Sequence, residues 1–174
     1  MMTVGVLIEV PEPFAAELSA ARARSGDLDA RWVPPHVTLV APVSLDPGEM
    51  DAVEEHVGRV ATTVQPFRMR LRGTGTFRPV TKVVFAAVAE GIPGCEQLER
   101  LLRTGPLAVE RSYPYHPHVT VAHDVSEQAL DDAFDSLAGY EAVFTVGDMT
   151  LFELHESGWR PRRRYRLGRP ESTG

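Results

Sequence analysis

The chain of 174 residues contains a single cysteine, Cys95, so no disulfide can close within it. Zinc sites that need two or more cysteines from one chain are excluded for the same reason. No apolar run approaches the roughly 20 residues that a membrane helix requires. Basic residues are not in surplus: 18 Lys and Arg stand against 24 Asp and Glu, for a net charge of −6. A general nucleic-acid coat protein would usually be basic, so that class is disfavoured, although a local basic groove is not. The first residues carry no basic region, and Glu9 interrupts the apolar run after Ile8. That segment reads as a strand rather than a signal peptide, and a cytoplasmic protein without a membrane partner is expected. A hydrophobic fraction of 43% and a charged fraction of 24% are ordinary for a globular protein.

Against this plain background one phrase occurs twice: Pro35-His36-Val37-Thr38-Leu39 and Pro117-His118-Val119-Thr120-Val121. On an extended strand side chains alternate faces, so His36 and Thr38 point the same way, as do His118 and Thr120. A neutral imidazole can take a proton and an imidazolium can give one. Histidine holds either state near neutrality because its ordinary pKa is about 6.5. A threonine hydroxyl can donate to a phosphoryl oxygen as charge develops on it. Two such pairs suit acid–base chemistry on a phosphate.

The surrounding pattern repeats as well. A strand over 3–10 leads to a helix from Phe14 to about Ser25, closed by Gly26. The first His-Val-Thr strand follows, then a helix from about Pro47 to Val64 with Met50, Val53, Val57 and Val60 at helical spacing. Phe67, Met69 and Leu71 then alternate with Arg68, Arg70 and Arg72 as in a half-buried strand. The second half reads a strand over 82–89, a helix over 95–103 and the second His-Val-Thr strand. Then come a helix opened by the N-cap Ser126, a long strand over 141–155 and a last strand over 159–167. Positions 36 and 118 stand 82 residues apart, and the first helices of the two halves are offset almost equally. A four-residue match alone could arise by chance; the matching element order points to an internal duplication over 3–77 and 82–155. The expectation is one domain over 1–174, a monomer, with pseudo-symmetric lobes that face their histidines across a cleft. A disordered tail is expected at 170–174.

These motifs resemble the two-histidine phosphoesterases, the family of the bacterial 2′-5′ RNA ligases and RNA 2′,3′-cyclic phosphodiesterases. The resemblance covers nearly the whole chain. Pro34 to Leu39 looks like the family's first motif and Pro117 to Val121 like its second. Gly75-Thr76-Phe77-Arg78-Pro79 followed by Val83-Val84-Phe85, and the end from Leu151 through Trp159 to Arg169, are similar to its bacterial ligase-like branch. The resemblance implies an α+β fold, two lobes of antiparallel sheet lining a central cleft with helices outside. It implies chemistry without metal or cofactor on a 2′,3′-cyclic phosphate or a 2′-5′ phosphodiester, with ligation as the reverse reaction. His36 and His118 carry over as catalytic, and Thr38 and Thr120 as phosphate-contacting. The partner would be an RNA end or a nucleotide bearing a cyclic phosphate. A cyclic phosphodiesterase for small nucleotide or sugar phosphates, and a non-catalytic module that binds a phosphorylated ligand, are the alternatives. One departure stands out: many members carry arginine shortly after the second motif, where this chain has Val121-Ala122-His123.

Among the remaining residues, Tyr113, Tyr115, Phe77 and Trp32 lie near the motifs and could stack on a base, with Tyr115 and Phe77 the chosen substrate-binding candidates. His123 has the wrong strand parity for the cleft unless the strand bulges. His116 and His118 stand at a spacing that could also hold a metal, but no accompanying carboxylate pattern supports one. His56 is expected exposed on its helix and His155 structural beside a turn. Arg160, Arg162, Arg164 and Arg166 should share one strand face, with Trp159, Arg163, Tyr165 and Leu167 on the other. Either a phosphate groove or a solvated sheet would present such arginines.

Overall fold

The computed structural model describes residues 1–169, so the tail expected at 170–174 lies outside the described residues. The first half runs β1 (Met2–Glu9), α1 (Phe14–Arg24), β2 (His36–Leu45), α2 (Met50–Thr63) and β3 (Phe67–Thr76). The second runs β4 (Val83–Glu90), α3 (Ile92–Leu102), β5 (His118–His123), α4 (Glu127–Ser136), β6 (Glu141–Val146), β7 (Asp148–His155) and β8 (Gly158–Arg166). All strand pairs are antiparallel, in two four-stranded sheets ordered β2-β1-β7-β8 and β5-β4-β3-β6. This is the expected α+β architecture.

The halves exchange elements. Strand β3 of the first half lies in the second sheet beside β4, while β7 of the second half lies in the first sheet beside β1. Helix α1 packs near β5 and helix α3 near β2, so each lobe is roofed partly by the other half's helix. Helix α2 shows how pattern becomes packing: Met50, Val53, Val57 and Val60 are all buried, one stripe at helical spacing. Ser126 caps α4, its hydroxyl accepting from the Ala129 amide at 3.1 Å.

The single strand expected over 141–155 is two. Strand β6 ends at Val146, and β7 begins at Asp148 in the other sheet, with Gly147 between them. Strand β7 has four consecutive buried residues, Met149 to Phe152, because it is central in its sheet and covered on both faces. Such a run carries no alternation that would reveal where one sheet stops and the next starts.

The two sheets are bent at equivalent places. In the first, Leu7 pairs with Thr38 but Val6 with Val40, leaving Leu39 as an extra residue. In the second, Phe85 pairs with Thr120 but Val84 with Ala122, leaving Val121 extra. Positions 39 and 121 have the same spacing as the two histidines. A bulge at this point twists the strand and re-aims the side chains beyond it.

Candidate active site

Each histidine opens its strand and is fixed by the same bond. His36 Nδ1 lies 2.7 Å from the Pro34 carbonyl oxygen, and His118 Nδ1 lies 2.7 Å from the His116 carbonyl oxygen. A carbonyl can only accept, so Nδ1 carries the proton and Nε2 is left as the working nitrogen in the neutral ring. Thr38 and Thr120 are half-buried two residues further on, and neither hydroxyl is taken by another protein group among the described residues. The buried Val37, Leu39, Val119 and Val121 anchor the strands into the core from the opposite face.

An aromatic stack supports each ring. Phe152 and Trp159 stack with centroids 4.0 Å apart at 6°, and Trp159 sits 4.6 Å from the His36 ring. In the other lobe Phe85 and Phe77 are 4.6 Å apart, and Phe77 meets His118 edge-on at 4.9 Å. Each stack depends on a glycine across the strand pair. Gly5 opposes Phe152, and Gly75 opposes Phe85. A Cβ on Gly75 would lie 2.5 Å from the Phe85 ring, so no other residue leaves room for it.

Tyr115 joins the two lobes. It precedes β5, yet its hydroxyl donates to the Thr38 carbonyl oxygen on β2 at 2.8 Å. Its ring packs against the core, and burial pushes the phenol pKa far up, so it remains a donor. The structure thus places Tyr115 as a strut between the motifs, with its polar end already used, and places Phe77 against His118.

Burial lowers the pKa of both imidazoles. The His36 pKa falls to about 4, chiefly through burial, with the Arg22 charge and a charge on His118 also opposing its protonation. Burial likewise lowers His118, opposed by its bond to the His116 carbonyl, and the neighbouring His116 lowers it further. Arg22 is itself buried and ion-paired with Asp27 at 2.8 Å. The consequence for stability has a definite sign. Below the ordinary histidine value of about 6.5 the unfolded chain binds a proton that folded His36 refuses until about pH 4. Stability is therefore full above about 6.5 and falls as pH drops through that window. The urea unfolding free energy should decrease from pH 7 to pH 5, and His36→Gln should flatten the decrease. An unchanged slope in the variant would contradict the assignment.

Other sequence expectations are revised. The bulge at Val121 brings His123 opposite Val83, the same β4 face as Phe85 and Ala87, so the condition for His123 to reach the cleft face is met. His123 is exposed and lies 3.4 Å from Asp124. His56 is buried rather than exposed: its Nε2 bonds the Leu102 carbonyl oxygen at 2.9 Å and ties α2 to the end of α3. His155 is exposed and paired with Glu153 at 2.9 Å. The arginines of β8 do not share a face. The register shifts between Phe152–Pro161 and Leu151–Arg163, so Arg162 turns to Glu54 and Glu153 while Arg164 reaches Glu9, the partner of His36 across the strands. Arg68 and Arg70 are likewise bound to Glu90, and Arg70 also to Glu141. Sequence reasoning missed Trp159 as a site residue. Its signal was its spacing from Phe77, 82 residues, which matches that of the histidines.

With this geometry in view, comparison with known proteins is decisive for the class. The model of the 2′-5′ RNA ligase superfamily matches residues 10–158, and the chain belongs to that superfamily of two-histidine phosphoesterases. A protein of Halalkalibacterium halodurans named as a candidate phosphoesterase is 28% identical over 174 residues, spanning 98% of this chain and all of that protein. One from Bacillus cytotoxicus with the same description is 26% identical over 171 residues, spanning 97% of this chain and 98% of its own. The crystal structure of E. coli LigT complexed with 3′-AMP superposes with a TM-score of 0.65 at 21% identity, covering 95% of this chain and 98% of that one. LigT has also been solved with NADP+ and with ATP. The fold likeness and the family together define a phosphoesterase.

Proposed function

We propose that this chain is a cytoplasmic, monomeric phosphodiesterase that opens 2′,3′-cyclic phosphates by two-histidine acid–base catalysis without a metal. The observation that carries the reading is the matched pair of imidazoles. Each has Nδ1 committed to a carbonyl and Nε2 left for chemistry. His36 is assigned as the base and His118 as the acid, because burial and the Arg22 charge oppose protonation of His36 down to about pH 4. His36 Nε2 takes a proton from water as the water oxygen attacks phosphorus. The bond from phosphorus to one ribose oxygen breaks, and protonated His118 gives that oxygen its proton. A phosphomonoester and a free hydroxyl result. Thr38 and Thr120 hold the non-bridging oxygens as their charge grows. With a 5′-hydroxyl attacking in place of water, the same steps break the bond from phosphorus to the 3′ oxygen and join RNA ends through a 2′-5′ bond; run backwards they cleave that bond to the cyclic phosphate.

Both RNA ends and mononucleotides carry this group. The small substrate is favoured by charge: Arg68, Arg70, Arg162 and Arg164 are already paired with carboxylates, which leaves them less free to bind a phosphate chain. The test is hydrolysis of 2′,3′-cyclic AMP and of RNA oligomers with the same end, in excess chelator and across pH. Turnover is expected to survive the chelator. kcat/KM should fall above about pH 6.5, because the His118 proton is lost below the ordinary histidine value. Loss of activity in chelator would contradict the metal-free mechanism. Phosphate binding without turnover of any cyclic phosphate would identify a binding module instead.

A further inference from the structure

Both tryptophans of the chain line one cavity of about 420 Å³. It lies between the 3₁₀ turn Leu28–Arg31 with the Trp32-Val33 segment after it, and the β7–β8 hairpin from Leu154 to Trp159. Trp159 belongs to two places at once, since it lines this cavity and also abuts His36 at 4.6 Å. Trp159 is therefore a wall shared by the cavity and the candidate active site. Trp32 is 57% exposed and Leu154 40%, which is apolar surface that packing within the chain does not explain. The backbone of Trp32 lies close to the hairpin turn, where only a glycine fits: a Cβ on Gly158 would stand 3.1 Å from the Trp32 Cβ. The polar lining is Asp29, His155, Glu156 and Ser157; His155 is paired with Glu153, and neither the Asp29 nor the Glu156 carboxylate is paired with a side chain among the described residues.

We propose that this cavity is a nucleobase subsite for the nucleotide whose phosphate lies between His36 and His118, with Trp32 as the stacking surface. The inference rests on the phosphodiesterase reading and extends it to the substrate's base. A flat ring suits an exposed indole, because every base has a π-face. The rim carboxylates accept hydrogen bonds, so they select bases with an exocyclic amino group, adenine above uracil. They also repel a continuing phosphate chain, so the subsite takes a terminal base or a mononucleotide.

Trp32→Ala tests this with two substrates, 2′,3′-cyclic AMP and the base-free glycerol 1,2-cyclic phosphate. KM for the nucleotide should rise about tenfold or more with kcat within about threefold, and the base-free substrate should be unaffected. Wild type should also prefer 2′,3′-cyclic AMP to 2′,3′-cyclic UMP. Equal losses on both substrates, or no change on either, would overturn the subsite. Quenching of tryptophan fluorescence by 3′-AMP needs no turnover and separates the two readings. Quenching that ribose 3-phosphate does not reproduce, and that Trp32→Ala abolishes, upholds the subsite even in a protein that hydrolyses nothing. No such quenching, with turnover intact, removes the subsite and leaves the phosphodiesterase reading standing.

Discussion

Replacing His36 or His118 by alanine should each lower hydrolysis of 2′,3′-cyclic nucleotides by about 10²-fold or more, with the fold retained. The reason is that neither ring has another acid or base bonded to it that could take over its proton transfer. His36 is paired with no carboxylate or other base, only with the Pro34 carbonyl. His118 has His116 as a neighbour, but the His116 ring lies with its centroid 6.1 Å away, against Phe77 and Phe85. The variants should differ in detail. His36→Ala removes the base, so its residual rate should climb with hydroxide concentration. His118→Ala removes the acid and should lose least with a substrate whose leaving oxygen needs no proton, such as a nitrophenyl ester. Initial rates on both substrates across pH would check this. Retention of more than about a tenth of the wild-type rate by either variant would contradict the paired mechanism. Neither ring holds the core together, since both are half-buried on the cleft face, so unfolding is not the expected cause of loss.

Gly5→Ala should destabilise the protein by about 1–3 kcal/mol and cost more activity than the unfolded fraction explains. A Cβ there would stand 2.6 Å from the Phe152 ring and 2.9 Å from the Val40 carbonyl oxygen. The carbonyl belongs to the bulged strand β2 and cannot yield cheaply. The Phe152 side chain is fully buried, and Trp159 closes its other face at 4.0 Å. A displaced Phe152 therefore pushes Trp159, and Trp159 pushes His36. Denaturant titration gives the stability loss. Activity at low temperature, where the variant is folded, gives the positional loss. A variant destabilised but fully active when folded would show that the aromatic stack does not position the histidine.

Much of this arrangement is legible in the sequence. The His-Val-Thr phrases declared both strand and face, since alternation places the histidine and threonine together. The stripe on α2 and the cap at Ser126 were equally plain, because each depends on residues close in sequence. What escaped depends on partners far along the chain. The break between β6 and β7 was hidden because the exchange of strands between sheets is decided by distant pairing. The bulge at Val121 leaves no local signal, yet it alone turns His123 toward the cleft face. The same is true of β8, where one extra residue sends Arg162 to α2 and Arg164 to Glu9. His56 looked like a surface residue among charged neighbours, but the end of α3 offered its ring a carbonyl. The role of Tyr115 was hidden in the same way, since its acceptor is a backbone oxygen 77 residues away.

The most direct test of the account is a ¹⁵N NMR titration of the histidine ring nitrogens with 3′-AMP. Signals from Nε2 of His36 and of His118 should move together along one binding curve, at one ligand per chain, while Nδ1 of both stays protonated. Movement of one ring only, or two curves with separate affinities, would show that the imidazoles do not share a phosphate.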